Sequence, residues 1–250
     1  MKKTLILLLL ITVLVVPTTV MAQEMNGKPA DSSLKNNLNA NQAVATVNGE
    51  KITSQELAQQ ANVNQILQQV SQVDQQLAQL LVSSEAGKTI LNKLQKAKLD
   101  SLIDNVLLEQ AAEKSDITLT QAEKDKIYKQ QKDAILKQNN MDEKQFISIL
   151  KKQGYENEAA YKKEFTNNPQ IKINKLIEEK VLSNIEISED ELKQAYDKNK
   201  DAFAQSGQKK TSFKDLKPKL EKMLKQQKQS QAINNYLDKL RKNAEIKKNI

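Results

Sequence analysis

The chain has no cysteine and no histidine, and its only arginine is Arg241. Without cysteine there is no disulfide framework and no thiol nucleophile. Without histidine there is no Ser-His or Cys-His relay, and any metal would need oxygen ligands alone. Nucleic-acid readers use arginine forks and aromatic platforms; with one arginine and aromatics at 4% of the chain, neither occurs here in a cluster. Acidic side chains gather at Glu178-Glu179 and in "SEDE", Ser188 to Glu191. The second group reads as a helix start, with Ser188 capping and Glu191 completing the box. No lysine lies in an apolar context that would depress its pKa. The sequence therefore offers no catalytic residue, no metal ligand and no cofactor site, and it reads as a non-enzyme.

The charge that is present is lopsided: 39 basic residues against 31 acidic, a formal +8 spread along the chain as lysine. A diffuse surplus of this kind attracts acidic cell-envelope polymers or anionic lipid weakly, and no nucleic acid specifically. Residues 1–22 combine Lys2 and Lys3, an apolar run from Leu5 to Val16, Pro17 and Ala22. This is the layout of a secretory signal peptide. The run of about 12 residues falls short of the roughly 20 a bilayer span needs, although a retained anchor is the alternative. Export to the periplasm or the extracytoplasmic face of the envelope is the expectation. Residues 23–42, rich in Asn, Ser and Lys, read as a flexible leader.

The ordered part opens with "AVATVNGEKITSQEL", Ala43 to Leu57. Val44, Thr46 and Val47 signal a strand and Asn48-Gly49 a turn. Thr53 and Glu56 form a capping box. A lone strand leaves its backbone groups unpaired, so it needs a partner. "NAEIKKNI" near Ile246 is the candidate, and that pairing would bring the ends of the domain together. Between them lie helices. The first is expected from about Thr53 to Leu81, with Val63, Ile66, Val70, Val73, Leu77 and Leu80 forming one narrow seam. Gly87 interrupts it, and a second helix runs to Lys114 with Leu99, Leu102, Ile103, Val106 and Leu107 on one stripe. A third helix begins with the capping box "TQAE", Thr120 to Glu123, and a fourth near Asp142; "NEAAYKKEF" follows, with Tyr161 and Phe165, then a helix from about Ile171 to Leu182 and a short one from Ser188. Phe203 is a candidate anchor, "AQSGQKKTS" a break, and a last long helix runs from Ser212 to about Lys242. Pro218 sits early enough in it to be tolerated. The fold class is mainly α: a multi-helix domain closed by a small pairing of N-terminal and C-terminal strands.

Three segments carry a resemblance. "ATVNGEKITSQEL" is similar to the opening of the chaperone domain in the SurA/PrsA-like envelope chaperone family. "VLSNIEISEDELKQAYDKNKDAF" resembles the segment where that domain gives way to a parvulin-type prolyl isomerase. "SFKDLKPKLEKMLKQQKQSQAINNYLDKLRKNAEI" resembles the helix and strand that follow the isomerase and complete the chaperone fold. In isomerase-bearing members a whole domain lies between the positions of Phe203 and Phe213; here nine residues do. The resemblance implies residues 43–203 as the first part of a chaperone domain, 204–212 as a short linker, and 213–250 as the completing helix and strand. It implies an ATP-independent chaperone for unfolded or newly exported polypeptides, without prolyl isomerase activity. The seam from Val63 to Leu80 also suits a coiled coil, hence a homodimer, an envelope spacer or a self-assembling structural protein.

Two groups are candidates for client binding. Leu77, Leu80 and Leu81 form either an exposed patch or the closure of a helical hairpin. Phe146, Tyr155, Tyr161 and Phe165 line a client cradle or fill the core where the smaller helices meet; the core reading is the simpler. Asn48 and Gly49 read as a turn, and the lysines of "KDLKPKLEKMLKQQK" as a solvated helix face.

Overall fold

The chain builds three strands in the computed structural model, which describes residues 40–205 and 212–250. They are β1 (Ala43–Val47), β2 (Glu50–Thr53) and β3 (Ile246–Lys248), in the order β2-β1-β3. The expected pairing of chain ends is present: Val47 faces Ile246, Thr46 faces Lys247 and Ala45 faces Lys248, antiparallel. Strand β2 is an addition to the sequence reading, which passes directly from turn to helix. Asn48 (φ +52°) and Gly49 (φ +88°) form the two-residue connection, and positive φ at both positions matches the twist of a hairpin. Asn48 does more than turn the chain. Its backbone N–H donates to Glu245 O at 2.8 Å, its Oδ1 accepts from Glu245 N at 2.9 Å, and its Nδ2 donates to Gln110 Oε1 at 2.7 Å.

The described residues fall into two compact units, 120–168 and the remainder. In the larger unit the helices are α1 (Ser54–Ala61), α2 (Val63–Val73), α3 (Gln75–Ser83) and α4 (Glu85–Lys114). The Thr53–Glu56 capping box forms as read. The single helix expected from Thr53 to Leu81 does not. Asn62 adopts the left-handed region (φ +48°), which Asn tolerates better than most residues. Asp74 is extended and accepts from Leu77 N at 3.0 Å, starting a new helix. The periodicity runs through both breaks, but the seam is not one continuous stripe, so the geometry for a long coiled coil is absent. Gly87 lies inside α4, whose N-cap is Ser84. A Cβ there would sit 2.4 Å from the carbonyl oxygens of Leu80 and Leu81, so glycine lets the end of α3 lie directly on the start of α4.

Val44, Ala45 and Val47 are almost wholly buried, with Ile52, Leu57, Leu99, Ile103 and Leu107 around them. Full burial of each Val, Leu or Ile contributes roughly 1.5–3 kcal/mol, so the small sheet is held by its apolar face as much as by its ladder. A second core joins Ala112 and Ile117 to α8 (Pro169–Leu176) through Ile173 and Leu176. The helix expected from Ile171 to Leu182 changes character midway: Ile177–Val181 form a π turn, closed by Leu182 N donating to Ile177 O at 2.9 Å. A third core packs Leu192 and Ala195 of α9 (Glu189–Gln205) against Leu216 and Leu220 of α10 (Phe213–Lys242). Helix α9 is longer than the short element expected and contains Phe203, whose side chain lies outside the described residues. Pro218 is accommodated within α10. Arg241 near its end grips Asp104 of α4 with two parallel bonds, Nε–Oδ1 at 2.7 Å and Nη2–Oδ2 at 2.6 Å.

The smaller unit is α5 (Gln121–Gln138), α6 (Glu143–Lys152) and α7 (Glu158–Asn167), begun by caps at Thr120, Asp142 and Asn157. Gly154 (φ +93°) follows the end of α6, where a left-handed residue is required. The signal peptide at 1–22, the leader up to residue 39 and residues 206–211 of the linker lie outside the described residues. Among the described residues no helix is long and apolar enough to cross a membrane.

Candidate functional site

Helices α2 and α3 contain no buried residue, although ten of their twenty positions are Val, Ile, Leu or Ala. Val63, Ile66, Leu67 and Val70 are half-buried, while Val73 at the end of α2 is 90% exposed. On α3, Leu77 is 48% and Leu80 57% exposed, and Leu81 is half-buried. Leu77 and Leu80 stand three positions apart and so share a face. Exposed single leucines are ordinary on protein surfaces; a run of them on helices lacking any buried anchor is informative. The local cause is visible in the sequence. The breaks at Asn62 and Asp74 turn one long helix into short segments that cannot all present their apolar side to the same core. The junction at Gly87 then fixes the end of α3 on α4.

The aromatic candidates lie in the smaller unit. Phe146 is buried, as is Tyr128, which the sequence reading passed over because its neighbours in α5 are polar and charged. Tyr155, Tyr161 and Phe165 are half-buried. Tyr161 is the hub, with ring centroids 5.1 Å from Tyr155, 6.0 Å from Phe146 and 6.1 Å from Tyr128, all edge-on. The two candidate groups thus belong to separate units, Leu77, Leu80 and Leu81 to one and the four aromatics to the other.

Polar bonds bind the aromatic cluster together. Lys132 of α5 reaches Glu158 of α7 at 2.9 Å and Glu143 of α6 at 3.1 Å, and its side chain is only 13% exposed. Tyr128 donates its hydroxyl to Glu158 Oε1 at 3.0 Å. Burial, then the bond to Glu158, pushes the Tyr128 phenol well above its ordinary range. Burial alone would raise the Glu158 carboxyl, but the Lys132 ammonium and the Tyr128 hydroxyl outweigh it and hold it below its ordinary 4.5. The Lys132 ammonium is raised above 10.5, chiefly by its bond to Glu158. These shifts set a pH window. The Glu158 contribution is present above pH 4.5 and is lost as pH falls through its lowered value. The Lys132 contribution is present below pH 10.5 and is lost as pH rises through its raised value. Replacing Lys132 by Met should therefore destabilise this unit by about 1–3 kcal/mol at neutral pH. The difference from wild type should shrink as pH falls below 4.5 through the lowered value of Glu158, where the carboxyl loses its charge and its ion pair with Lys132. Acid titration followed by near-ultraviolet tyrosine circular dichroism checks this, since Tyr128, Tyr155 and Tyr161 report on the unit; a difference independent of pH would contradict it.

Among the described residues no group of acidic side chains is placed to hold a metal ion. A shallow cleft of about 560 Å³ lies at the turn between α5 and α6, lined by Asp133, Leu136, Lys137, Asn140, Met141 and Asp142. It is an open notch with charged walls, unlike an enclosed small-molecule pocket.

Fold and surface together define a helical domain laced by its own chain ends, with apolar side chains left outside its cores. A family model described as the SurA-like N-terminal domain matches residues 1–177, and the chain belongs to that family. Its similar proteins include the foldase protein PrsA of Clostridium botulinum (strain Langeland), 29% identical over 166 residues, which cover 66% of this chain and 47% of that protein. The foldase protein PrsA of Clostridium kluyveri is 29% identical over 170 residues, covering 66% and 48%. The chain spans about half the length of the curated relatives it matches. The family match ends at residue 177. Helices α9 and α10 and strand β3, which carry the second and third resembling segments, follow it.

Proposed function

We propose that this protein is an ATP-independent, extracytoplasmic chaperone that holds unfolded polypeptide and does not catalyse prolyl isomerisation. The observation that carries the reading is the apolar surface of α2 and α3, with Val73, Leu77 and Leu80 exposed on helices that have no buried residue. Membership of the SurA-like family and the foldase names of the matched relatives support it. The nine residues between Phe203 and Phe213, and the absence of histidine, support the lack of an isomerase. Lys2, Lys3 and the apolar run before Ala22 support export. The half-buried aromatics Tyr155, Tyr161 and Phe165 serve chiefly as the core of the smaller unit, with their exposed edges as a secondary contact.

Apolar burial is worth roughly 25 cal/mol per Å², so a few hundred Å² of contact supplies several kcal/mol before entropy losses, a weak contact suited to repeated capture and release. The protein should delay light scattering by a chemically denatured client at equimolar ratio, without nucleotide and nearly equally at low and high salt. It should leave the isomerisation rate of a proline-containing test peptide at its uncatalysed value. Unchanged aggregation at several-fold excess of the protein would sink the chaperone reading.

A further inference from the structure

We infer that the α2–α3 surface selects charge-free, apolar stretches of polypeptide, an inference that rests on the chaperone reading and narrows it to a client chemistry. From Leu57 to Ser84 the sequence has a single ionisable side chain, Asp74. The chain as a whole is 28% charged, so the same 28 positions would hold about eight such groups at the average frequency. Even Asp74 is occupied, since its carboxylate caps α3 by accepting from Leu77 N. What surrounds the exposed Val73, Leu77 and Leu80 is amide: Gln72, Gln76 and Gln79 are all exposed.

This composition has a direct consequence for what can bind. Each glutamine amide offers a donor and an acceptor, so it can meet the N–H and C=O groups of an extended chain without regard to sequence. A lysine or glutamate brought onto the same surface would lose water and find no counter-charge on α2 or α3 beyond the capping Asp74, which is unfavourable for either sign. The protein's overall charge predicts the opposite ranking. At a formal +8, long-range attraction alone would favour acidic segments, and that attraction would fade with salt. The two mechanisms are therefore separable by client charge. Size argues for a peptide segment over a second copy of the chain. With exposures of 90%, 48% and 57%, Val73, Leu77 and Leu80 together present on the order of 300–400 Å² of apolar surface, below the roughly 450 Å² apolar share of the ~800 Å² that each partner of a stable protein pair covers.

The test uses the full chain and three fluorescent peptides that share one set of leucine and valine positions, spaced by glutamine, lysine or glutamate. Anisotropy titrations should show the glutamine peptide binding at least ten-fold tighter than either charged one, with less than a two-fold change between low and high salt. The double substitution Leu77→Gln with Leu80→Gln should weaken that binding at least ten-fold while lowering the melting temperature by no more than a few degrees, because about half of each residue is already exposed. Tightest binding by the glutamate peptide, falling with salt, would overturn the inference. So would undiminished binding of the glutamine peptide by the double variant, or a concentration-dependent dimer that the double variant abolishes. Each of these leaves aggregation delay intact and the chaperone reading standing. Failure of wild type both to bind any of the peptides and to delay aggregation would remove the chaperone reading, and this inference with it.

Discussion

Removal of residues 243–250 should lower the melting temperature of the protein by about 6–20 °C. The deletion takes away β3 and the bonds that close the sheet: Asn48 N to Glu245 O at 2.8 Å, Glu245 N to Asn48 Oδ1 at 2.9 Å, and Asn249 N to Val44 O at 2.8 Å. It also uncovers one side of a core in which Val44, Ala45 and Val47 are almost fully buried. What remains is a two-stranded hairpin, which is marginal on its own. Lost apolar cover and lost backbone pairing together cost about 3–5 kcal/mol. For a chain of this length each kcal/mol shifts the midpoint by about 2–4 °C. Thermal melts of the truncated and full chains, with Ile246→Ala as a milder comparison, check this. A truncated protein that melts with the wild type would show that β3 contributes little to the closure.

Gly87→Ala should destabilise the protein by about 1–3 kcal/mol, against the trend expected of an exposed helix position. Helix propensity alone favours alanine over glycine by about 1 kcal/mol, so an unconstrained site would gain stability. Here the new Cβ would lie 2.4 Å from two backbone oxygens of α3 and 2.5 Å from Leu81 Cα. Those atoms belong to backbone and cannot rotate away, so the end of α3 has to move. The substitution should also weaken client binding several-fold more than its loss of stability accounts for, since Leu80 and Leu81 are displaced with that backbone. Denaturant midpoints together with the peptide titration separate the two effects; a raised midpoint would show that the junction is looser than its geometry.

Local chemistry made much of this fold legible. The capping boxes at Thr53–Glu56, Thr120–Glu123 and Ser188–Glu191 each need only four residues, and each forms. The pairing of β1 with β3 was readable for a different reason: an apolar strand with no neighbour must find one, and the chain offers few candidates. Strand β2 was hidden because "EKIT" has one apolar residue, Ile52, and its last residue is already committed to capping α1. The breaks at Asn62 and Asp74 were hidden because apolar spacing of three and four continues through them, and periodicity does not register a change of axis. Tyr128 is buried by contacts from α7, which no window on α5 contains. As for the candidate site, spacing identified Leu77 and Leu80 as a shared face but was silent on exposure, which depends on how the broken segments meet α4. The exposures of 48% and 57% are set by tertiary placement.

The sheet also imposes an order of events on the growing chain. Asn48 and Glu245, which bond to each other directly, are separated by 197 positions. Among the described elements strand β1 is made first and its second partner last. Until that partner emerges, one edge of the hairpin stands open with its N–H and C=O groups unpaired, able to template pairing with another chain. Closure of the sheet is thus bound to emergence of residues 246–248: a ribosome stalled before residue 246 holds a chain whose helices can form but whose sheet cannot close. Long-range closure of this kind is slow relative to helix formation. Strand β3 acts as a latch, and until it emerges the chain carries an unguarded edge.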